Sequence, residues 1–164
     1  SLYDATMFVA NKDECKEIPI SDWSLAYMIP NLAPEDILTS ISIPVWSADH
    51  GYAFIEFARR HGDFAICAAG VLIELDDKKV ILRTAITIAG ANVKPIRLLE
   101  LEKNLIGQVA NKKTFLEAEE EAKKIDAISD VYYTASYRQR LSGTLVNRAL
   151  KMAAKRAGGF FKNG

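Results

Sequence analysis

Two residues could in principle act together as a nucleophile and its base: Cys67 and His61, six positions apart in FARRHGDFAICAAG. A thiolate attacks well when an imidazole takes its proton. Cys67, however, lies in an apolar run that raises its pKa and quiets it, so it reads as a buried structural cysteine. A metal site has less support, because His50 and His61, eleven positions apart, find no convincing third ligand. What remains is ARRHGD. Gly62 lets the backbone reverse, Asp63 accepts local N–H bonds, and Arg59 and Arg60 point into solvent, which describes a charged turn. The same residues, with the aromatic Phe64 after them, would also line an anionic or planar ligand. Guanidinium forks match phosphate or carboxylate, and an aromatic edge packs on a flat ring. Residue chemistry alone leaves both readings open.

A second concentration of charge lies at the C-terminal end. Residues 131–164 hold seven Lys or Arg and no acid, with Tyr132, Tyr133 and Tyr137 nearby. Cations and stacking aromatics of this kind can bind nucleic acid. The plainer reading is preferred: on a final helix these cations stand opposite a Leu141/Leu145/Ala149/Met152 stripe, and late basic residues suit the helix dipole. The acidic run Glu117 to Glu121 could balance them.

The whole chain is consistent with a modest globular protein. Its 164 residues suit about one domain, and 49% apolar with 26% charged residues is ordinary for one that folds and dissolves. Twenty-one basic residues balance twenty-one acidic ones, so no overall field favours nucleic acid, an anionic membrane or a cationic substrate. Cys15 and Cys67 form no CxxC spacing and no disulfide framework, and a cytoplasmic setting fits best. The longest apolar stretch, Phe64 to Ile73, falls well short of the ~20 residues that span a bilayer. SLYDATMFVA has no signal-peptide pattern and no initiator methionine, so the chain reads as a piece of something longer.

The positioning elements follow from periodicity. Leu2, Ala5, Met7 and Val9 alternate as a half-buried strand; ANKDEC is a polar turn; KEIPISDW is extended, with Pro19 confined to an edge or strand start. Pro34 suits a first helical position for one turn before ILTSISIP alternates as a strand ending at Pro44. VWSADHG connects to a second unit. There YAFIEFARR, DFAICAAGVLIELD and KKVILRTAITIAG read as three strands, the last two a hairpin turning at Asp76 to Lys79. Leu98, Leu101 and Leu105 lie at helical spacing before Gly107. Thr114 and Glu117 form a capping box for a further helix, worth ~1 kcal/mol, and a last helix begins near Ser136 and fails at Gly158 and Gly159. Strands first and helices afterwards predict an α+β fold, helices on one face of an antiparallel three-stranded sheet. The usual phosphate-binding motifs, GxGxxG and GxxxxGK[ST], do not occur.

Three stretches, SADHGYAFIEFARRHGDFAICAAGVLIEL, AITIAGANVKPIRLLELEKNLIG and ASYRQRLSGTLVNRAL, resemble in order and spacing the flavoprotein (medium) subunit of the molybdenum hydroxylases, the group of CO dehydrogenase and xanthine dehydrogenase. The resemblance covers nearly the whole chain. It implies that residues 1–44, ending PEDILTSISIP, are the end of an FAD-binding domain. Residues 45–157 would then be a C-terminal domain of the CO dehydrogenase flavoprotein type, and 158–164 a flexible tail. It further implies an oxidoreductase component with FAD as cofactor. Substrate would be oxidised at a molybdenum cofactor in a large subunit, electrons would pass through 2Fe-2S clusters in a small one, and FAD would hand them to an acceptor. FAD suits that junction because it takes electrons singly and releases them as a pair.

Within such subunits the aromatic position of GD[FY]A lies by the isoalloxazine ring, which here is Phe64. Leu38, the leucine of EDIL, resembles a family residue near the flavin. Glu56 stands where family members often carry lysine, replacing a cation near the flavin by an anion. These three are the candidate cofactor-binding residues; no catalytic residue and no metal ligand is expected. Arg59 and Arg60 would be available for subunit contacts or the cofactor's surroundings. One departure is plain: the glycine-rich loops that cradle the FAD pyrophosphate belong to the family's N-terminal half, and nothing like them is present. The chain therefore reads as the C-terminal half of a longer subunit, inactive alone. The expected partners are the missing FAD-binding half, the molybdenum subunit and the iron-sulfur subunit, with no nucleic acid and no membrane span. Two cysteines also cannot supply an additional iron-sulfur cluster. The rival reading is a stand-alone interaction or scaffold module without flavin.

Overall fold

The alternation at the start of the chain does make a strand, but a short one. In the computed structural model, which describes residues 1–157, β1 (Thr6–Ala10) turns its odd side inward, burying Met7 and Val9. It pairs antiparallel with β2 (Cys15–Pro19) through a turn in which the Asn11 carboxamide oxygen accepts from the N–H groups of Asp13 (2.9 Å) and Glu14 (3.0 Å). Pro19 ends this edge strand, where its missing N–H costs nothing. A four-residue helix, α1 (Ile20–Trp23), follows, then a small ribbon of β3 (Ser24–Ala26) and β4 (Ile29–Pro30). β5 (Ile37–Ser42) returns to the free edge of β1, giving the order β2-β1-β5.

The helical turn expected at Pro34 is not formed. Asp36 N–H donates to the Ala33 carbonyl at 3.0 Å while the Asp36 carboxylate accepts from Ala33 N–H at 2.9 Å, closing a tight turn that leads straight into β5. The same carboxylate receives Lys16 Nζ at 2.5 Å and Asn11 Nδ2 at 2.9 Å, so one side chain ties together the first turn, β2 and the entry to β5. These elements belong to a first unit, Ser1–Trp46; a second begins at Ser47.

The second unit holds the three expected strands, β6 (Gly51–Ala58), β7 (Ala65–Leu75) and β8 (Ile81–Ala89), in one antiparallel sheet. A fourth, β9 (Ile96–Arg97), extends the sheet at β8, with Thr87 opposite Arg97 and Ile88 opposite Ile96. The sheet is thus four-stranded, not three. The reason is a buried carboxylate: Glu102 Oε1 accepts from Ile86 N–H at 2.7 Å, and both its oxygens are paired with the Arg97 guanidinium. Arg97 is thereby held against β8, and helix α2 (Leu99–Leu105) starts only after it.

Helices α3 (Lys112–Ala122) and α4 (Ala135–Arg156) complete the unit. The cap of α3 is Asn111, whose side chain accepts from Lys113 N–H (2.8 Å) and Thr114 N–H (3.1 Å). Thr114 instead donates its hydroxyl to the Val109 carbonyl at 2.8 Å, so the Thr114/Glu117 capping box does not form. Along α4 the buried stripe is Leu145, Val146, Ala149, Leu150 and Ala153, packed with Val71, Ile73, Ile86 and Ile88 of the sheet; Met152 is outside it. At Gly51 any Cβ would lie 1.9 Å from the Ala153 carbonyl oxygen, so only glycine lets β6 approach α4 this closely. The expected tail, 158–164, lies outside the described residues.

Candidate functional site

The charged turn sits between β6 and β7 and is built as its residues dictate. Gly62 has φ +80°, a left-handed conformation that side chains disfavour, and Asp63 N–H closes the turn on the Arg60 carbonyl at 3.1 Å. The Asp63 carboxylate accepts from Phe64 N–H at 3.0 Å and gathers both arginines, with Arg59 Nε at 3.5 Å and Arg60 Nε at 3.6 Å. The arginines are thus paired within the turn rather than simply pointing outward. Such exposed pairs stabilise weakly, about 0–1 kcal/mol each, but they fix where the chain emerges.

What emerges is Phe64, 82% exposed, one residue before the most buried strand of the protein. An apolar ring held in water at the head of a core strand contributes nothing to that core. Phe64 lines a cavity of about 280 Å³ together with Arg59, Asp63, Tyr132, Tyr133 and Arg138. Glu56, exposed on β6 opposite Ala68, lines a neighbouring groove with Arg59, Arg60, His61 and Asp63. Glu56 and Phe64 therefore flank the shared Arg59–Asp63 pair. Leu38 lies in the first unit, on β5 opposite Val9, and is 39% exposed.

Two neighbours of Phe64, Asp130 and the buried Arg138, were not singled out from the sequence, and Tyr132 and Tyr133 were noted only as stacking aromatics and not as neighbours of Phe64. Asp130 Oδ1 accepts from the N–H groups of Tyr132 and Tyr133, both at 2.8 Å, and these bonds hold its carboxyl below the usual carboxylate range, with Arg138 adding to the effect. Arg138 pairs with Asp130 Oδ2 and donates from Nη1 to the Gly90 carbonyl at 3.1 Å. The signal was an aspartate just before an aromatic pair, with an arginine eight positions on. Its meaning depends on a β7–α4 approach that spacing does not reveal.

The other candidates separate. Cys67 is wholly buried with Sγ 3.1 Å from the Ser142 hydroxyl, and burial pushes its thiol pKa up; its partner is Ser142, not His61. Among the described residues no group of three or more His, Cys, Asp or Glu side chains could hold a metal. Besides Arg138, two basic residues of α4 are engaged in structure: Arg156 donates to the Tyr52 carbonyl at 2.7 Å and lies over its ring, and Arg140 reaches Ser136. The acidic run does not balance them. Glu120 and Glu121 pair with Lys123 and Lys124 next to them, while Glu119 accepts from Asn147 at 2.6 Å. No described helix is long and apolar enough to cross a membrane.

The second unit is thus an antiparallel sheet carrying helices, with an exposed aromatic at the β6–β7 turn. Residues 52–153 match the model of the CO dehydrogenase flavoprotein C-terminal domain, and the chain belongs to that family. The particular relatives agree. The chain is 37% identical over 126 residues to the caffeine dehydrogenase subunit beta of Pseudomonas sp. strain CBB1, covering 76% of this chain and 42% of that protein. It is 32% identical over 127 residues to the carbon monoxide dehydrogenase medium chain of Afipia carboxidovorans, covering 77% and 44%. The solved structure of reconstituted CO dehydrogenase from Oligotropha carboxidovorans superposes with a TM-score of 0.88 at 27% identity, covering 95% of this chain and 55% of that one. The resemblance to the medium subunits of molybdenum hydroxylases is therefore correct. The chain spans about half the length, or less, of the curated relatives it matches.

Proposed function

We propose that this chain is the C-terminal half of a molybdenum-hydroxylase medium subunit and supplies one wall of its FAD site. Leu38, Glu56 and Phe64 are the residues assigned to that wall. The residues present fit such a partial site: two exposed apolar side chains, Leu38 and Phe64, stand where the core does not need them. They do not fit a complete one, since no phosphate-cradling loop occurs among them. In this reading the first unit is the end of the FAD-binding domain and the unit from Ser47 the C-terminal domain. The partners are the missing N-terminal half, a molybdenum-cofactor large subunit and a 2Fe-2S small subunit, in the cytoplasm, where free Cys15 and Cys67 would stay reduced.

Bound FAD would supply the step between one-electron carriers and a two-electron acceptor. This chain's contribution is geometric and electrostatic. Phe64, rigidly delivered by the Asp63 turn, would pack on a flat ring and fix its tilt, an aromatic contact worth ~0.5–1.5 kcal/mol beyond area burial. Glu56 would place negative charge near the ring, disfavouring its reduced, anionic forms and lowering its potential. The observation that carries the reading is the exposed Phe64 ring at the head of β7.

The test is Phe64→Ala in the complete subunit within its complex. The fold should survive with less than about 0.5 kcal/mol lost, because the ring is exposed. The flavin absorbance spectrum or its reduction potential should shift. A folded variant whose flavin spectrum and potential both match the parent would remove Phe64 from the site.

A further inference from the structure

Charge is unevenly placed along this chain. All twenty-one acidic residues precede position 131, and seven Lys or Arg follow it. Four of these, Arg140, Arg148, Lys151 and Lys155, are exposed on α4. At about 3.6 residues per turn they fall within a sector of roughly 80°, spread over about 22 Å of helix. That sector is opposite the stripe of Leu145, Ala149 and Ala153 buried in the core. Met152, 39% exposed, borders the row.

Nothing within the described residues neutralises this row. Arg148, Lys151 and Lys155 make no ion pair there, and Arg140 reaches only the neutral Ser136 hydroxyl, at 3.2 Å. The carboxylates of the neighbouring helix are already taken: Glu120 by Lys123 and Glu121 by Lys124, both at 2.6 Å, and Glu119 by Asn147. Like charges three or four positions apart destabilise a helix, so the counter-charge has to come from outside the chain. An acidic protein surface supplies it, and arginine and methionine are side chains that interfaces favour over ordinary surface. Nucleic acid fits less well, because the ring nearest the row, Tyr137, is already stacked on Tyr133 with centroids 5.7 Å apart. A membrane fits less well too: a helix lying in lipid inserts its apolar face, and that of α4 is packed in the core.

We propose that the Arg140, Arg148, Lys151 and Lys155 row of α4 docks an acidic surface of another subunit of the complex. This rests on the assembly proposed above and assigns the face that the chain turns to it. The cations steer the encounter and set its register, and Met152 adds apolar contact once water is displaced.

The experiment uses the complete complex and measures, by mass photometry on dilution, the dissociation constant of the full-length medium subunit from the remaining subunits. Arg148→Glu combined with Lys151→Glu should weaken association about 10- to 100-fold at low salt. The gap should close to within about three-fold near 1 M salt, where the screening length falls to about 3 Å. Arg148→Gln with Lys151→Gln, which removes the charges without reversing them, should show the same salt trend at about 3- to 10-fold, and it keeps the test alive if the glutamates disturb folding. The same change of net charge on α3, Lys112→Glu with Lys113→Glu, should leave association within about two-fold. The docking face is overturned if the α4 variants associate like the parent, if their loss persists undiminished at high salt, or if the α3 variant weakens association equally. It is also overturned if the parent complex binds a DNA duplex or phosphatidylglycerol vesicles at physiological salt and the α4 variants do not. A medium subunit that purifies with no other chain removes the assembly reading as well, whereas an intact complex with unchanged affinity removes only this face.

Discussion

The two units of this chain are stabilised in different ways. Among the described residues the second gathers twenty-one buried apolar side chains into one core, while the first has a cluster of only Met7, Val9 and Ile18, with Ile20, Trp23 and Leu32 packed partly against them and Trp46 buried outside it. All six residues of β5 are exposed, including Ile37, Leu38 and Ile41. Chains of a few tens of residues rarely bury enough surface to offset their ordering entropy. The first unit is accordingly held by polar locks, with the Asp36 carboxylate at their centre, and it leaves its apolar side chains available for other contacts. A core makes β7 a rigid base for Phe64; a polar lock makes β5 a strand whose position depends on a few hydrogen bonds.

Hydrogen exchange would break or confirm this contrast most directly. Amides of Ala69 and Val71 in the central strand β7 should exchange only through the largest opening of the protein, and those of Phe8 and Val9 in β1 through a smaller one. Leu150 is completely buried in the larger core. Leu150→Ala should cost about 2–5 kcal/mol and accelerate β7 exchange roughly thirty-fold or more, while the β1 amides change little. Equal protection of β1 and β7 in the parent protein would erase the distinction.

A smaller effect sharpens it. Asn111 caps α3, and Asn111→Ala should cost about 1 kcal/mol by thermal or urea unfolding. Glu117→Ala should stay within about 0.5 kcal/mol, because Glu117 reaches only the exposed Lys113 at 3.9 Å and caps nothing. If Glu117 proved the costlier loss, the capping box read from the sequence would be the better description after all.

That pair of residues also shows what spacing can and cannot reveal. The three long strands, the hairpin at Asp76 to Lys79 and the start of α4 follow from periodicity and turn chemistry, which act over a few residues. Asn111 lay three positions before Thr114 and was overlooked because Thr114 and Glu117 have the right types at the right separation. Which residue caps is decided by where the backbone leaves its extended conformation, here at Asn111 with φ −135° and ψ 175°. β9 was missed for a longer-range reason: Ile96–Arg97 looks like the beginning of a leucine-spaced helix, and only the buried Arg97–Glu102 pair against Ile86 makes it a strand. At the candidate site, the turn chemistry of Gly62 and Asp63 was legible because it is local. The cavity that Phe64 shares with Tyr132, Tyr133 and Arg138 was not, because it joins residues some seventy positions apart in sequence.

The subtlest test concerns the lock of the first unit. Hydrogen bonds from Lys16, Ala33 N–H and Asn11 lower the Asp36 pKa from 3.8 to about 2, and Asp36 correspondingly raises that of Lys16. A carboxyl whose pKa is lower in the folded state stabilises that state fully above its unfolded value, and the contribution is lost as pH falls through the folded one. The first unit should therefore hold its β1 protection down to pH near 4 and lose it progressively toward pH 2, with the Asp36 carboxyl titrating at about 2 by NMR. Asp36→Asn keeps the shape, discards the charge and should abolish that step, whereas Lys16→Met should move the Asp36 midpoint upward without abolishing it. A midpoint at the ordinary 3.8 in the parent would mean that the carboxylate is not bonded as described. β5, and Leu38 two residues beyond Asp36, would then have to be held by something other than this lock. The second unit also holds paired carboxylates, Glu102 against β8 and Asp130 against Arg138, but its core rests on twenty-one buried apolar side chains, so its β7 amides should keep most of their protection through the pH range in which the first unit loses it, and that difference is what distinguishes a unit fixed by polar bonds from one fixed by burial.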